Sequence, residues 1–347
     1  MKICVVGLGA VGGIFAGWLG SRLAPGEVQV SALARGATLA AVQQEGLRLF
    51  PQVGPDGPDG HDAPDEPAEP LRVLLHASDR AEALGVQDLV IVAVKGPALA
   101  GVAPALQALC GPRSHVLVAM NGVPWWFFDG LGGVCDGLRL ASVDPGGVLA
   151  AAVPTARVVG CVVHLSSSAP APARVRHVSG NGLIIGEPAG GISTRVTALA
   201  ALLGRAGFAV TVSDRIQREI WFKLWGNMTM NPVSALTSAT CDRILDDPLV
   251  RGFCSAVMLE AQMIGEHIGI PIDQAPAQRH AITRKLGAFK TSMLQDAEAG
   301  RPLEIDALVG AVHEIGRHLG LATPNIDALL GLVRLMAQQR GLYPEGL

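Results

Sequence analysis

The chain has 347 residues, of which 49% are apolar and only 16% charged, with a net charge of −3. That length suggests about two domains and a large core on a prior of ~150 residues per domain, and the lack of a basic surplus argues against nucleic acid as a partner. No apolar stretch reaches the ~18–20 residues of a membrane span. No basic segment with a cleavage site precedes the first apolar run, so no signal peptide is expected.

Residues 3–7 form an apolar run that leads into Gly7-Leu8-Gly9-Ala10-Val11-Gly12. Residues 10–23 then place Val11, Ile14, Phe15, Trp18, Leu19 and Leu23 at helical spacing. A second strand is predicted over 28–34, ending at Arg35-Gly36. This strand–turn–helix–strand unit is the setting in which a glycine fingerprint binds a dinucleotide. Gly7 permits the tight turn, Gly9 lets the backbone approach the pyrophosphate, and Gly12 lets helix and strand pack closely. The helix start offers free N–H groups and a positive dipole end to the phosphates. NAD binders place an acid at the end of the second strand. Here Arg35 stands there instead and suits a 2′-phosphate, so NADPH is the expected cofactor.

Residues 51–70 are rich in Pro, Gly and Asp and read as an exposed loop or insertion. Strands are predicted over 71–76, over 89–94 ending at Lys95-Gly96, and over 116–120 ending at Asn121-Gly122. Lys95 and Asn121 thereby follow strand ends, where open α/β sheets bind ligands. Short β-like runs at 158–165, 173–178 and 183–185 suggest further strands, some antiparallel. From about residue 214 the spacing turns helical, over 215–238, 246–269, 276–299, 303–319 and 325–340. Gly269-Ile270-Pro271 and the Gly320–Pro324 run read as helix stops. The expected division is an α/β Rossmann domain over 1–213 and an all-α domain over 214–347. The apolar second domain suits formation of a homodimer.

Lys223, Asn227 and Asn231 are spaced i, i+4, i+8 among Trp221, Phe222, Leu224, Trp225 and Met228. At about 100° per residue they form one stripe, which reads as a pocket wall. Glu304 follows Pro302, which is predicted to start a helix. From spacing alone, a glutamate favoured by the helix dipole and a catalytic one are equally admissible. Trp125-Trp126-Phe127-Phe128, just after Asn121-Gly122, reads either as a helix-docking or subunit-interface patch or as a wall that reshapes a pocket. The six cysteines form no Cys-x-x-Cys, and the nine histidines show no ligand spacing, so no metal is expected.

These residues in this order resemble the ketopantoate reductase (2-dehydropantoate 2-reductase) family. The marks are the glycine fingerprint with Gly13, Arg35, Val94-Lys95, Asn121-Gly122, Trp221-x-Lys223-Leu224-x-x-Asn227-x-x-x-Asn231-Pro232, Ser292-Met293-Leu294-Gln295-Asp296 and Glu304-Ile305-Asp306. The resemblance covers essentially the whole chain. It implies a Rossmann domain followed by a helical domain like the C-terminal domain of 6-phosphogluconate dehydrogenase. It implies NADPH-dependent reduction of 2-dehydropantoate to (R)-pantoate on the route to pantothenate. The scattered cysteines read as buried thiols in a reducing cytosol, so a cytoplasmic protein is expected. Lys223 resembles the family's proton donor, and Glu304 the glutamate that supports it. Asn121, Asn227, Asn231 and Ser292 match substrate positions, while Arg35, Lys95 and Asn121 match cofactor positions.

A reductase of a bulkier 2-keto acid or ketone on the same scaffold fits the motifs as well. A short-chain dehydrogenase does not, because the single tyrosine, Tyr343, has no Tyr-x-x-x-Lys pair. Zinc-dependent dehydrogenases lack their ligand set here. A non-catalytic NADP sensor would have no reason to carry Lys223, Asn227, Asn231 and Glu304 together.

Overall fold

The computed structural model describes residues 1–51 and 69–344. The loop expected over 51–70 lies, apart from its ends, outside the described residues. The chain divides into two compact units. The first comprises residues 1–94, 101–120 and 151–216, and the second 95–100, 121–150 and 217–347.

The first unit opens with β1 (Lys2–Val6), α1 (Ala10–Arg22), β2 (Gln29–Leu33), α2 (Gly36–Glu45) and β3 (Leu47–Phe50). After the undescribed residues come β4 (Leu71–Val73), β5 (His76–Ser78), α3 (Ala81–Leu84), β6 (Gln87–Val92), α4 (Leu99–Leu109) and β7 (Cys110–Ala119). Following α5 (Val148–Ala152), the unit ends with β8 (Val158–Ala171), β9 (Arg174–Gly186), α6 (Thr194–Arg205) and β10 (Ala209–Ser213). The ten strands among the described residues make one mixed sheet in the order β4-β3-β9-β8-β7-β6-β1-β2-β5, with β10 beside β9. Strands β8, β7, β6, β1, β2 and β5 run parallel to one another.

The central strands are apolar runs because both faces are covered. Ile3 and Val5 of β1, Leu89 and Ile91 of β6 and Leu117 of β7 have no exposed surface. Ile14, Phe15 and Leu19 of α1 pack into the same core. Each such side chain contributes roughly 1.5–3 kcal/mol by leaving water.

Two expectations change here. The single strand over 71–76 is two strands: β4 pairs antiparallel with β3, whereas β5 pairs parallel with β2. The break falls at Leu74 and Leu75, between partners at opposite edges of the sheet. The short runs within 158–185 are two long antiparallel strands, β8 and β9. Register shifts at Ser166, Ser167 and Ser168 interrupt their alternation and so hid their length.

The second unit carries α7 (Ile216–Thr237), α8 (Cys241–Asp246), α9 (Pro248–His267), α10 (Pro276–Arg284), α11 (Ser292–Glu298), a π-helical turn (Asp306–Gly310), α12 (Ala311–His318) and α13 (Pro324–Gln339). Asp247 caps α9 through Leu249 and Val250 N–H, and Thr291 caps α11 through Leu294 N–H. The helix predicted over 276–299 is broken between α10 and α11. Nor does Pro302 start a helix: residues 301–304 are irregular and regular structure resumes at Ile305. Glu304 therefore sits ahead of a helix, not in its first turn. Trp125, Trp126, Phe127 and Phe128 are 2%, 0%, 0% and 1% exposed. Phe127 meets Phe128 edge-on at 5.1 Å and Trp221 of α7 at 6.1 Å. The four aromatics are core, and Phe127 packs against α7.

Candidate active site

In the first unit, β1 and β2 are neighbours in register, Val6 opposite Leu33. The glycine turn and Arg35 therefore leave adjacent strands at the same edge. Gly7 has φ +94°, a left-handed value that suits glycine. A Cβ on Gly12 would stand 1.9 Å from the Gly7 carbonyl oxygen, so only glycine lets α1 start this close to β1. A Cβ on Gly9 would meet nothing within 4 Å. The backbone there is open to a ligand, and no acidic side chain occupies the first turn of α1. With Leu8, Ala10 and Val11 completing the loop, this is a cradle that fits a pyrophosphate. Arg35 caps α2 by position only and is exposed.

The second unit gathers the remaining chemistry. Trp221, Leu224, Trp225 and Met228 are 0–2% exposed and anchor α7. That leaves Lys223 and Asn227 half-buried on its other side, with Asn231 buried farther along. Lys223 Nζ donates to Asn121 Oδ1 at 2.8 Å. The two residues after Asn121 hold it in place. Gly122 has φ +83°, and a Cβ there would lie 2.3 Å from the Ala307 carbonyl oxygen. Val123 N–H donates to that oxygen at 2.8 Å. The chain after Asn121 is thus pinned to the Asp306–Gly310 turn.

The same turn follows Glu304, whose Oε1 accepts from Gly96 N–H at 3.0 Å. Glu304 caps the helical segment after Lys95 instead of its own helix. Burial raises its pKa above the usual carboxylate value. The Gly96 N–H opposes this, as does the charge of Lys95, while Asp296 adds to it and Lys223 opposes it. Lys95 pairs with Asp296, and Arg301 Nε reaches the same carboxylate at 2.9 Å. Asp296 is buried, whereas the Lys95 side chain is 46% exposed.

The structure thus joins Lys223 with Asn121, Glu304 with Gly96, and Lys95 with Asp296. Ser292 is the exposed first residue of α11, and among the described residues no hydrogen bond joins it to this group.

Three contributors were not picked out by the sequence. Asp296 and Asp306 stood in motifs without a role, and Tyr343 was considered only for a chemistry it lacks. Tyr343 Oη donates to Asp306 Oδ1 at 2.6 Å, bracing the turn that holds Gly122. Its hydroxyl pKa is raised by burial and by that carboxylate. The distance of 37 residues between them offers no local signal. Among the described residues no group of three or more His, Cys, Asp or Glu is placed to hold a metal, and no helix is long and apolar enough to cross a membrane.

The sequence matches the family model for ketopantoate reductase PanE/ApbA over residues 3–125 and that for the ketopantoate reductase PanE/ApbA C terminal over residues 215–337. It is 44% identical over 344 residues to a 2-dehydropantoate 2-reductase of Mesorhizobium japonicum, covering 99% of this chain and 100% of the relative. A 2-dehydropantoate 2-reductase of Halobacterium salinarum is 29% identical over 344 residues, with 98% and 100% covered. The crystal structure of a candidate ketopantoate reductase from Ralstonia solanacearum MolK2 superposes with a TM-score of 0.88 at 57% identity, covering 99% of each chain. With the glycine cradle and the lysine cluster both in place, the chain belongs to the ketopantoate reductase family of nicotinamide-dependent oxidoreductases.

Proposed function

We propose that this protein reduces 2-dehydropantoate to (R)-pantoate with NADPH, and that Lys223 gives the proton. The observation that carries the reading is the half-buried Lys223 ammonium, held by Asn121 at 2.8 Å on a helix whose opposite side is core. NADPH, when bound, supplies hydride to the keto carbon. Charge then grows on the carbonyl oxygen, and Lys223 stabilises it and transfers a proton, which completes the alcohol. Asn121 fixes the ammonium, and Glu304 supplies a compensating carboxylate nearby. Asn227, Asn231 and Ser292 are assigned to substrate.

The fingerprint residues Gly7 to Gly12 are assigned to the pyrophosphate, and exposed Arg35 to the 2′-phosphate. Asp296 takes one donor of Lys95 and leaves others to reach the cofactor. The burial of residues 125–128 supports a packing role for them and favours 2-dehydropantoate over a bulkier substrate. Exposed Leu259 of α9 and Leu332 and Leu335 of α13, at 56%, 57% and 56%, support a homodimer formed by this unit; sedimentation of a monomer at micromolar concentration would refute it.

The direct test is NADPH oxidation with 2-dehydropantoate beside bulkier 2-keto acids. Wild-type protein is expected to favour 2-dehydropantoate, and Lys223→Ala to lose about 10²–10⁴-fold in kcat, the usual contribution of a general acid. Near-normal kcat in Lys223→Ala would refute the proton-donor role.

A further inference from the structure

Arg279 of α10 is a cation in an uncompensated setting. Its guanidinium lies over the Phe222 ring, 5.3 Å from the centroid. It also lies against Gly226, where a Cβ would stand 2.6 Å from Nε and 2.9 Å from Nη2. Nε is buried without a hydrogen-bond partner, and among the described residues no carboxylate pairs with Arg279. Burial lowers its pKa, with no acidic neighbour opposing the shift. The residue as a whole is half-buried, but its Nε is out of water without a partner, which is unfavourable. So is glycine inside a helix, by roughly 0.5–1 kcal/mol relative to alanine. Both costs fall at one spot on α7.

That spot adjoins Lys223. Gly226 is three residues on, and side-chain positions at i and i+3 lie about 5–6 Å apart on a helix surface. Phe222 and Gly226 bracket Lys223 along the axis, so the guanidinium flanks the Lys223–Asn227 stripe at the same height. A 2-keto acid carries its carboxylate on the carbon next to the keto group. With the keto oxygen at Lys223, that carboxylate falls within the same few ångströms. The guanidinium offers paired, coplanar N–H donors that match it.

We propose that Arg279 binds the substrate carboxylate, and that Gly226 is glycine in order to admit it. Arg279 is then the specificity-determining residue that selects 2-keto acids over uncharged ketones. This rests on the reading of Lys223 as proton donor to a 2-keto acid.

The test compares 2-dehydropantoate with its methyl ester in wild type, Arg279→Gln, Arg279→Lys and Gly226→Ala. Arg279→Gln is expected to lose about 10–100-fold in kcat/KM on the acid, as for a hydrogen bond to a charged group. The loss should appear mostly in KM, with the ester unchanged and Arg279→Lys recovering part of it. Gly226→Ala keeps the arginine but pushes it away, and should move the acid-to-ester ratio the same way. A wild type active on the acid, with that ratio unchanged in Arg279→Gln and Gly226→Ala, overturns the role of Arg279 alone. A wild type that reduces no 2-keto acid overturns the Lys223 reading together with it.

Discussion

Replacing Glu304 by glutamine should make the protein more stable and less active at the same time. Glutamine keeps an acceptor for Gly96 N–H, so the cap at 3.0 Å survives. What it removes is a charge whose pKa burial holds above the ordinary 4.5. In that window the native carboxyl binds more protons than the unfolded one. Stability therefore falls as pH rises from the ordinary value through the raised one. Every unit of that elevation is about 1.4 kcal/mol lost above the window. Glu304→Gln escapes this loss, and its urea midpoint at pH 8 should exceed that of wild type, while at pH 4 the two should coincide. Activity moves the other way, because Lys223 and Lys95 lose a nearby anion. A charge-assisted interaction of about 1.5–3 kcal/mol corresponds to roughly 10–150-fold in kcat/KM. Glu304→Ala separates the two effects: it also strips Gly96 N–H of its acceptor, which costs about 1–3 kcal/mol. A Glu304→Gln protein that is less stable than wild type at pH 8, or equally active, would refute the electrostatic account of this carboxylate.

Two further outcomes rest on geometry. Arg35→Ala should raise KM for NADPH roughly 10–100-fold through the lost charged hydrogen bonds and leave KM for NADH unchanged; equal effects on both cofactors would deny Arg35 the 2′-phosphate. Gly122→Ala meets a left-handed φ and a carbonyl oxygen 2.3 Å from the new methyl. It should destabilise the fold by about 1–3 kcal/mol and release Asn121, so a melting temperature and kcat both within error of wild type would contradict the pinning of that loop.

Elements whose signal is local were legible in the sequence. β1, the glycine turn, α1 and β2 are set by an apolar run, three glycines and a 3.6-residue period over one short stretch. α7 was legible because four large apolar residues at helical spacing mark its buried side. Elements whose shape depends on distant partners were not. Nothing near Leu74 says that the chain must leave one sheet edge for the other there. Pro302 is a fair helix starter by its own chemistry, yet Glu304 is drawn away to cap Gly96, 208 residues earlier in the chain. α6 is an exception, a local element outside that reading although Ser193 caps it and Val196, Leu199, Leu202 and Leu203 mark its buried side at helical spacing. Within the site Lys223, Asn121, Glu304 and Lys95 could be named, but Asp306 and Tyr343 could not, and neither could the pairings Lys223–Asn121, Glu304–Gly96 and Lys95–Asp296, which join segments 102, 208 and 201 residues apart.

The chain leaves the sheet-bearing unit and returns to it twice, at residues 95–100 and 121–150, before the final crossing at 217. The helical unit is therefore not a separable module that could be cut out and fused elsewhere. A fragment starting at Gln217 would carry Lys223 without the amide that orients it, Glu304 without the N–H it caps, and α7 without the Phe127 ring that packs against it. Completion of one unit must wait for segments threaded through the other. Such sequence-distant closure slows folding, and it makes the setting of Lys223 depend on segments that branch off between strands of the sheet.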